Sequence, residues 1–391
     1  MSFKVNLAVV GRFHAFNLAL QLQKHDMLNK LITTYPKFLT KKFGINNDAV
    51  VSEPSLELFN RVRQKFLFNI PLINNSIYWG NFTNKHHAIK SSKYLKDCDI
   101  FIGFSGSSLE AIIEAKKLGK ITILERGSSH YNYQMKILQE EYLKFDIPFL
   151  PDYLHWQREL LEYELSDYIS IPSSFVKKTF LKEGIIKEKI LLNPYGVNLS
   201  EFAQIPKNDD IFRIIYAGNL SIRKGSYYLL EAFNELNLPK SELWHIGTIN
   251  NEILPLLNKY NNNYKIKFLG HKPQKELYRY YSQGSIFVIP SIEEGLAMVI
   301  AQALSCGLPC VVSENTGAGD IIENDFNGYV IPIRNIELLK EKILFLYEDK
   351  CKLENMSKNA VNSISKMKLT WDDYGNRYIE NLERLMQNKK T

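Results

Sequence analysis

Short apolar, β-branched runs recur along this chain, each followed by a longer stretch of helical periodicity. Runs such as Asp99–Phe104 (DIFIGF), Ile211–Ala217, Ser285–Ile289 and Pro309–Val312 do not alternate apolar with polar residues. A strand that is apolar on both sides must be covered on both sides, so the pattern predicts parallel sheets with helices packed on each face. Further strands are expected at Phe3–Val10, Lys120–Leu124, Tyr168–Pro172, Lys189–Asn193, Glu242–Ile246, Ile266–Leu269 and Gly328–Ile331. Helices are expected at Ala15–Lys24, Tyr131–Lys144, Ser174–Lys182 and Leu296–Ser305. Another should follow Ser107-Ser108-Leu109-Glu110, which reads as a capping box, and run through Leu118.

The segment Gln204–Asp210 (QIPKNDD) is polar and reads as a linker, after which the alternation restarts. The expected fold is therefore α/β, with two tandem Rossmann-like, doubly wound parallel-sheet domains facing each other across a cleft. Residues 1–205 and 206–370 form the two domains, and residues 371–391 form a helix crossing back to the first. With roughly 100–200 residues per domain, a chain of 391 residues accommodates both.

Hydrophobic residues at 45% and charged residues at 23% exclude a disordered or collagen-like chain. No apolar run approaches the roughly 18 residues of a membrane span, and MSFKVNLAVVG reads as a buried first strand rather than a signal peptide. Cys98, Cys306, Cys310 and Cys351 are irregularly spaced, without the pairing of a zinc or redox site. Reduced thiols, no bound metal and a cytoplasmic location are expected. The net charge of +7 is matched by one stretch, Leu58 to Lys96, which has no acid but contains Arg61, Arg63, Lys65, Lys85, Lys90, Lys93 and Lys96. Phe59, Phe66, Phe68, Tyr78, Trp79 and Phe82 are interleaved with them. Such a surface suits either plain solvation or peripheral contact with an anionic membrane at its inner face. It contains no nucleic-acid-binding module.

The segment richest in chemistry is Pro290–Ser313, PSIEEGLAMVIAQALSCGLPCVVS. A strand ends at Pro290, Glu293-Glu294-Gly295 turn the chain, and Gly295, Leu296 and Ala297 would offer the free N–H groups of a helix N-terminus to a diphosphate. Gln302 follows Glu294 by two helical turns. Ile214–Gly225, IIYAGNLSIRKG, has Gly218 and Asn219 at a strand end and Arg223-Lys224-Gly225 at a helix start. A third loop is Asn315-Thr316-Gly317-Ala318-Gly319-Asp320.

Together these motifs resemble the nucleotide-sugar-dependent glycosyltransferases of family 4 (glycosyl transferases group 1), which have the two-domain "B" fold. The resemblance covers most of residues 160–385. In that family a P-S-x-x-E-G-F-G-L-x-x-x-E-A segment places one glutamate on the donor sugar and a second on the ribose. Glu294 stands at the first position and Gln302 at the second, where an amide replaces the carboxylate. Lys224 matches the family's diphosphate-binding lysine, and Asn219 replaces its arginine, with Arg223 available beside it. The resemblance thus implies a donor site of Gly218, Asn219, Arg223, Lys224, Gly247, His271, Lys272, Glu293, Gly295, Leu296, Ala297, Gln302, Thr316 and Gly317. Glu294 and His130 are the expected catalytic groups. Arg12, His14, Glu125 and Arg126 are expected on the acceptor side.

The implied reaction is transfer of a sugar, with retention, from a UDP- (rather than GDP-) sugar to a glycan or glycolipid hydroxyl in cell-surface polysaccharide or lipopolysaccharide assembly. The leaving phosphate itself takes the acceptor proton, and neither cofactor nor metal is required. Same-fold alternatives are a sugar-nucleotide epimerase or hydrolase, or a silent nucleotide-sugar-binding protein, the latter suggested by Asn219 and Gln302. Gly103-Phe104-Ser105-Gly106-Ser107 only approximates a hydrolase nucleophile elbow, because Ser107 replaces its final glycine.

Overall fold

The computed structural model describes residues 3–66, 76–260 and 262–389. Seven strands form the first sheet: β1 (Val5–Val9), β2 (Leu28–Thr33), β3 (Val50–Ser52), β4 (Ile100–Phe104), β5 (Ile121–Glu125), β6 (Tyr168–Ile171) and β7 (Ile190–Leu192). Their order is β3-β2-β1-β4-β5-β6-β7, and every pair is parallel. Six strands form the second: β8 (Phe212–Ala217), β9 (Ser241–Ile246), β10 (Ile266–Phe268), β11 (Ile286–Ile289), β12 (Cys310–Ser313) and β13 (Gly328–Ile331). Their order, β10-β9-β8-β11-β12-β13, is also wholly parallel.

Both orders reverse direction at a central pair, β1/β4 in one sheet and β8/β11 in the other. Connections leave such a pair toward opposite faces, which opens a crevice outside the carboxyl ends of the strands. The unbroken apolar runs fill the middle of each sheet. Ile286, Phe287, Val288 and Ile289 of β11 are all fully buried, as are Leu7, Ile102 and Ile123 in the first sheet. Doubly covered parallel strands require this composition.

Predicted and observed strands differ mostly by a residue or two at their ends. Three departures stand out. Strands β2 and β3 are absent from the sequence reading because Asn29 and Lys30 interrupt the apolar run of β2 and β3 has only three residues. Asn29 is nevertheless satisfied at the sheet's end, donating to Asn6 Oδ1 and the Asp97 carbonyl. The expected capping box does not form. The helix Leu109–Lys117 starts at Ser108, whose hydroxyl donates instead to the Phe104 carbonyl. The carboxylate of Glu162 accepts from the N–H groups of Gly106 and Ser108 and caps that end from a neighbouring helix, while Glu110 pairs with Arg158. Finally, the helix expected from Leu296 begins at Met298.

The helix Trp371–Asn388 starts with a capping box between Thr370 and Asp373 and lies against Ala15–Lys24. Gly375 permits that approach, since a Cβ there would sit 2.5 Å from Gln21 Cγ. Among the described residues, no helix is long and apolar enough to cross a membrane. The basic stretch is only partly a surface. Arg63 is buried and Lys90 pairs with Glu53, whereas Arg61, Lys85, Lys93 and Lys96 are exposed. Exposed Phe59, Tyr78 and Phe82 gather around Trp79. Phe68 and the side chains of Lys65 and Phe66 lie outside the described residues.

Candidate active site

The carboxyl ends of β1, β4 and β5 form the floor of a cleft of about 1140 Å³. Glu125 ends β5 and is 2% exposed. One carboxylate oxygen meets His14 Nε2 at 2.9 Å, and the other accepts the Tyr378 hydroxyl at 2.6 Å. The next residue, Arg126, is also buried. Its guanidinium donates to the Ser129 carbonyl, to Gln134 Oε1 and to Glu159 Oε1, the last two at 2.8 Å. Burial opposes both charges of the Arg126–Glu159 pair, but their mutual attraction prevails. Arg126 is held above the usual range, and Glu159 is pulled down to about 2. The sequence reading placed Arg12, His14, Glu125 and Arg126 together, and all four border this cleft.

The second sheet presents Glu293 and Glu294 after β11, and these neighbours have opposite fates. Glu293 is fully buried. It accepts from Ser129 N–H at 2.9 Å and the Ser129 hydroxyl at 2.7 Å, and from Gln134 Nε2 and Arg223 Nε, each at 2.9 Å. Burial alone would raise its pKa. Arg223 and the Ser129 donors hold it below the ordinary carboxylate value. Glu294 instead forms an ion pair with Lys224. Burial, reinforced by Arg223, lowers the Lys224 ammonium to about 8.

Loops from the two sheets meet directly around this point. A Cβ on Gly295 would stand 1.7 Å from the Gly127 carbonyl oxygen, so only glycine permits the approach. The Ser173 hydroxyl donates to the Gly295 carbonyl at 2.6 Å, and Ser174 N–H donates to Asp320 Oδ2 at 2.6 Å.

Several expected donor contacts are otherwise engaged. Arg223 is committed to Glu293 and, through Nη2, to Ser128 Oγ at 3.2 Å. Ala297 N–H donates to the Thr316 carbonyl, and the Thr316 hydroxyl turns back to the Ser313 carbonyl, so neither is free for a phosphate. Gly317 packs under the Gly295 carbonyl, and Leu296 is buried against the same loop. Gly218 and Gly247 serve backbone contact, since a Cβ on Gly247 would lie 2.0 Å from the Gly218 oxygen. Asn219 is exposed and accepts the Thr248 hydroxyl.

His130 is a further correction. Its ring caps the helix Tyr131–Lys144 by accepting Asn132 N–H, and it packs against Tyr163 and Phe180. Burial lowers its pKa to about 4. A ring held in this way stays neutral and faces the protein interior, not the cleft. His271 is exposed, and Lys272 lies over the Tyr280 ring. In that loop Gln274 and Lys275 line the cleft instead.

Gln302 stays in the cleft wall, 8% exposed, and its carbonyl oxygen has no partner. Lining residues that motif reading missed include Tyr195, Asn198, Glu201 and His155. They lie on loops and a helix face that carry no motif. The one available signal was that Gln274 and Lys275 continue the His271-Lys272 loop.

Residues 198–363 match the model of the family described as glycosyl transferases group 1. A UDP-Gal:α-D-GlcNAc-diphosphoundecaprenol α-1,3-galactosyltransferase from Escherichia coli is 30% identical over 210 residues, 47% of this chain and 53% of that protein. An N,N'-diacetylbacillosaminyl-diphospho-undecaprenol α-1,3-N-acetylgalactosaminyltransferase from Campylobacter jejuni is 26% identical over 239 residues, 55% of this chain and 59% of its own. The chain spans about half the length of the curated relatives it matches. Among solved structures, Anabaena HepE in complex with UDP and glucose superposes with a TM-score of 0.69 at 15% identity, covering 98% of this chain and 100% of that one. The lipopolysaccharide outer core galactosyltransferase WaaB gives 0.66 at 16%, covering 98% and 99%. These two structures share the fold of two parallel sheets. Residues 198–363 thus belong with the glycosyl transferases group 1 family, and the chain as a whole shares the two-sheet fold of these structures.

Proposed function

We propose that the chain transfers a sugar, with retention, from a UDP-sugar to a hydroxyl of a glycan or lipid-linked glycan in cell-surface polysaccharide or lipopolysaccharide assembly. The observation that carries this reading is Gln302, a nearly buried amide in the wall of the cleft whose carbonyl oxygen has no protein partner. An orphaned buried acceptor is costly unless a ligand satisfies it, and a ribose hydroxyl would do so. Lys224 is the cation for the diphosphate. An arriving diphosphate would draw the ammonium away from Glu294, raise its pKa and release Glu294 to bind the sugar's hydroxyls. The named relatives from Escherichia coli and Campylobacter jejuni act on diphospho-undecaprenol-linked sugars, which favours a lipid-linked acceptor.

In this reading the two sheets are two domains, residues 1–205 and 206–370, and the segment 371–391 bridges back to the first. The enzyme works in the cytoplasm at the inner membrane face. Exposed Lys85, Lys93 and Lys96, together with exposed Phe59, Tyr78 and Phe82, would face an anionic bilayer.

A thermal-shift screen against UDP, GDP, ADP, CMP and their sugar conjugates, with and without EDTA, tests the donor. A ligand at a hundred times its Kd stabilises by about 2.7 kcal/mol. The expected result is a response to UDP and one or more UDP-sugars that EDTA does not affect and Lys224→Ala weakens at least tenfold in Kd. Silence across the panel would refute the reading.

A further inference from the structure

The turn after β1, Gly11-Arg12-Phe13-His14, holds an aromatic ring that the fold itself hardly uses. Phe13 has a φ of +42°, in the left-handed region, and is 72% exposed. That conformation is unfavourable for a bulky side chain, and glycine would avoid the strain. The backbone is held there from both sides. Gly11 N–H donates to the Thr34 hydroxyl at 2.8 Å, and the Gly11 carbonyl accepts the Thr33 hydroxyl at 2.6 Å, which ties the start of the turn to the end of β2. His14 Nε2 meets Glu125 at 2.9 Å, and the His14 carbonyl accepts Leu18 N–H, which fixes the other end. Strain imposed in this way gathers at binding and catalytic sites. Phe13 lines the cleft together with Arg12, Asn17 and Asn84. Its ring lies 21° from the plane of buried Phe104, 6.3 Å between centroids, and most of its surface stays uncovered. Asn17 and Asn84 are half-buried, and no group among the described residues bonds their side-chain amides. A flat, uncovered ring in one cleft with two uncommitted amides suits a pyranose, which has a face of C–H bonds and a rim of hydroxyls.

We propose that Phe13 is the platform on which the acceptor's end sugar stacks, with the amides of Asn17 and Asn84 taking its hydroxyls. The inference rests on the glycosyl-transfer reading above and deepens it by naming the acceptor's class, a pyranose presented by one C–H face. Lys224, Glu294 and Gln302 belong to the second sheet's loops and helix, and Phe13 to the first sheet's, so donor and acceptor are held by different sheets. Phe13 moves no proton. It fixes where the acceptor hydroxyl stands, and the leaving phosphate keeps the part given to it above. Because the contact is flat, an axial hydroxyl on the stacked face would lift a sugar off the ring, so the platform selects among stereoisomers. A lipid chain on the same ring would feel no such difference.

The test uses the full chain, UDP-galactose, UDP-glucose and UDP-N-acetylgalactosamine as donors, and an N-acetylglucosaminyl diphospholipid as probe acceptor. Acceptor KM, kcat and the UDP-induced thermal shift are read separately. Phe13→Gly removes the ring and the backbone strain together. It is expected to raise acceptor KM about tenfold, to lower kcat by no more than about threefold, and to leave the UDP shift intact. The same variant should melt about 1–2 °C higher. A lower melting temperature with an unchanged acceptor KM would make the ring purely structural and overturn the inference. Phe13→Tyr should keep KM within about twofold. Phe13→Leu keeps an apolar contact without the flat face and should lose as much as Phe13→Gly; a wild-type KM in Phe13→Leu would assign the contact to the lipid chain and overturn the inference as well. Saturation-transfer NMR with methyl galactoside, glucoside and N-acetylglucosaminide reads the platform without turnover. The C–H protons of at least one of them should be saturated by the wild-type chain and not by Phe13→Gly. Silence from the wild-type chain with all three would overturn the inference and leave the transferase reading standing on its UDP shift, while a wild-type chain that ignores UDP would bring down the transferase reading itself.

Discussion

Glu293 and Glu294 are adjacent in sequence, yet their surroundings give them different work. Glu293 is enclosed by four donors that reach it from both sheets. Glutamine there could not accept from all of them, and its amide would turn donors toward donors. Glu293→Gln should therefore cost about 2–4 kcal/mol in urea denaturation, and a cost under roughly 0.5 kcal/mol would mean the tie is energetically idle. Gly295→Ala attacks the same junction sterically, because its methyl group would overlap the Gly127 carbonyl oxygen. That neighbour is backbone and cannot rotate away. The variant should melt several degrees lower and bind UDP more weakly, as seen in paired thermal-shift curves with and without nucleotide.

At the scale of elements, the helix Leu109–Lys117 shows how tertiary contacts override a local signal. Its serines and Glu110 have the spacing of a capping box, but Glu162, from the helix Tyr153–Leu165, takes the N–H groups of Gly106 and Ser108. Glu162→Ala leaves two buried donors unpaired and should cost about 2–4 kcal/mol, measurable by chemical denaturation. The strands were legible because doubly buried β-branched runs leave a plain trace; Ile286–Ile289 is one. The site was legible in patches. Lys224, Glu294 and Gln302 lie where strand–turn–helix motifs announce them, whereas the commitments of Arg223, Ala297 N–H and Thr316 depend on partners distant in sequence or on a loop's exact path. His130 illustrates the limit. Nothing local distinguishes a cap buried against Tyr163 and Phe180 from a ring pointed at substrate.

Across the whole molecule, three buried histidines respond to acid in the same direction. Burial lowers His87, His130 and His245 to about 4 each. Between that value and the roughly 6.5 of an unfolded histidine, the unfolded chain binds more protons, so stability rises with pH. Glu162 opposes this trend: burial raises it to about 7, so the folded state holds its proton more firmly between the unfolded carboxyl value and that point. Three groups against one leave a net gain of roughly 4 kcal/mol from pH 4.5 to 6.5. Melting temperature should climb over that interval, and His130→Asn, which can still cap its helix, should flatten the climb. A melting temperature level across the interval would show that these rings are charged in the fold.

The bond between Glu125 and Tyr378 also has a consequence in time. Its partners lie 253 residues apart. At about 5–20 residues per second, a ribosome needs roughly 13–50 s to synthesise that interval. Throughout it, the nascent first sheet carries at its rim a carboxylate with only half of its final partners, and the cleft floor cannot set until the last long helix arrives.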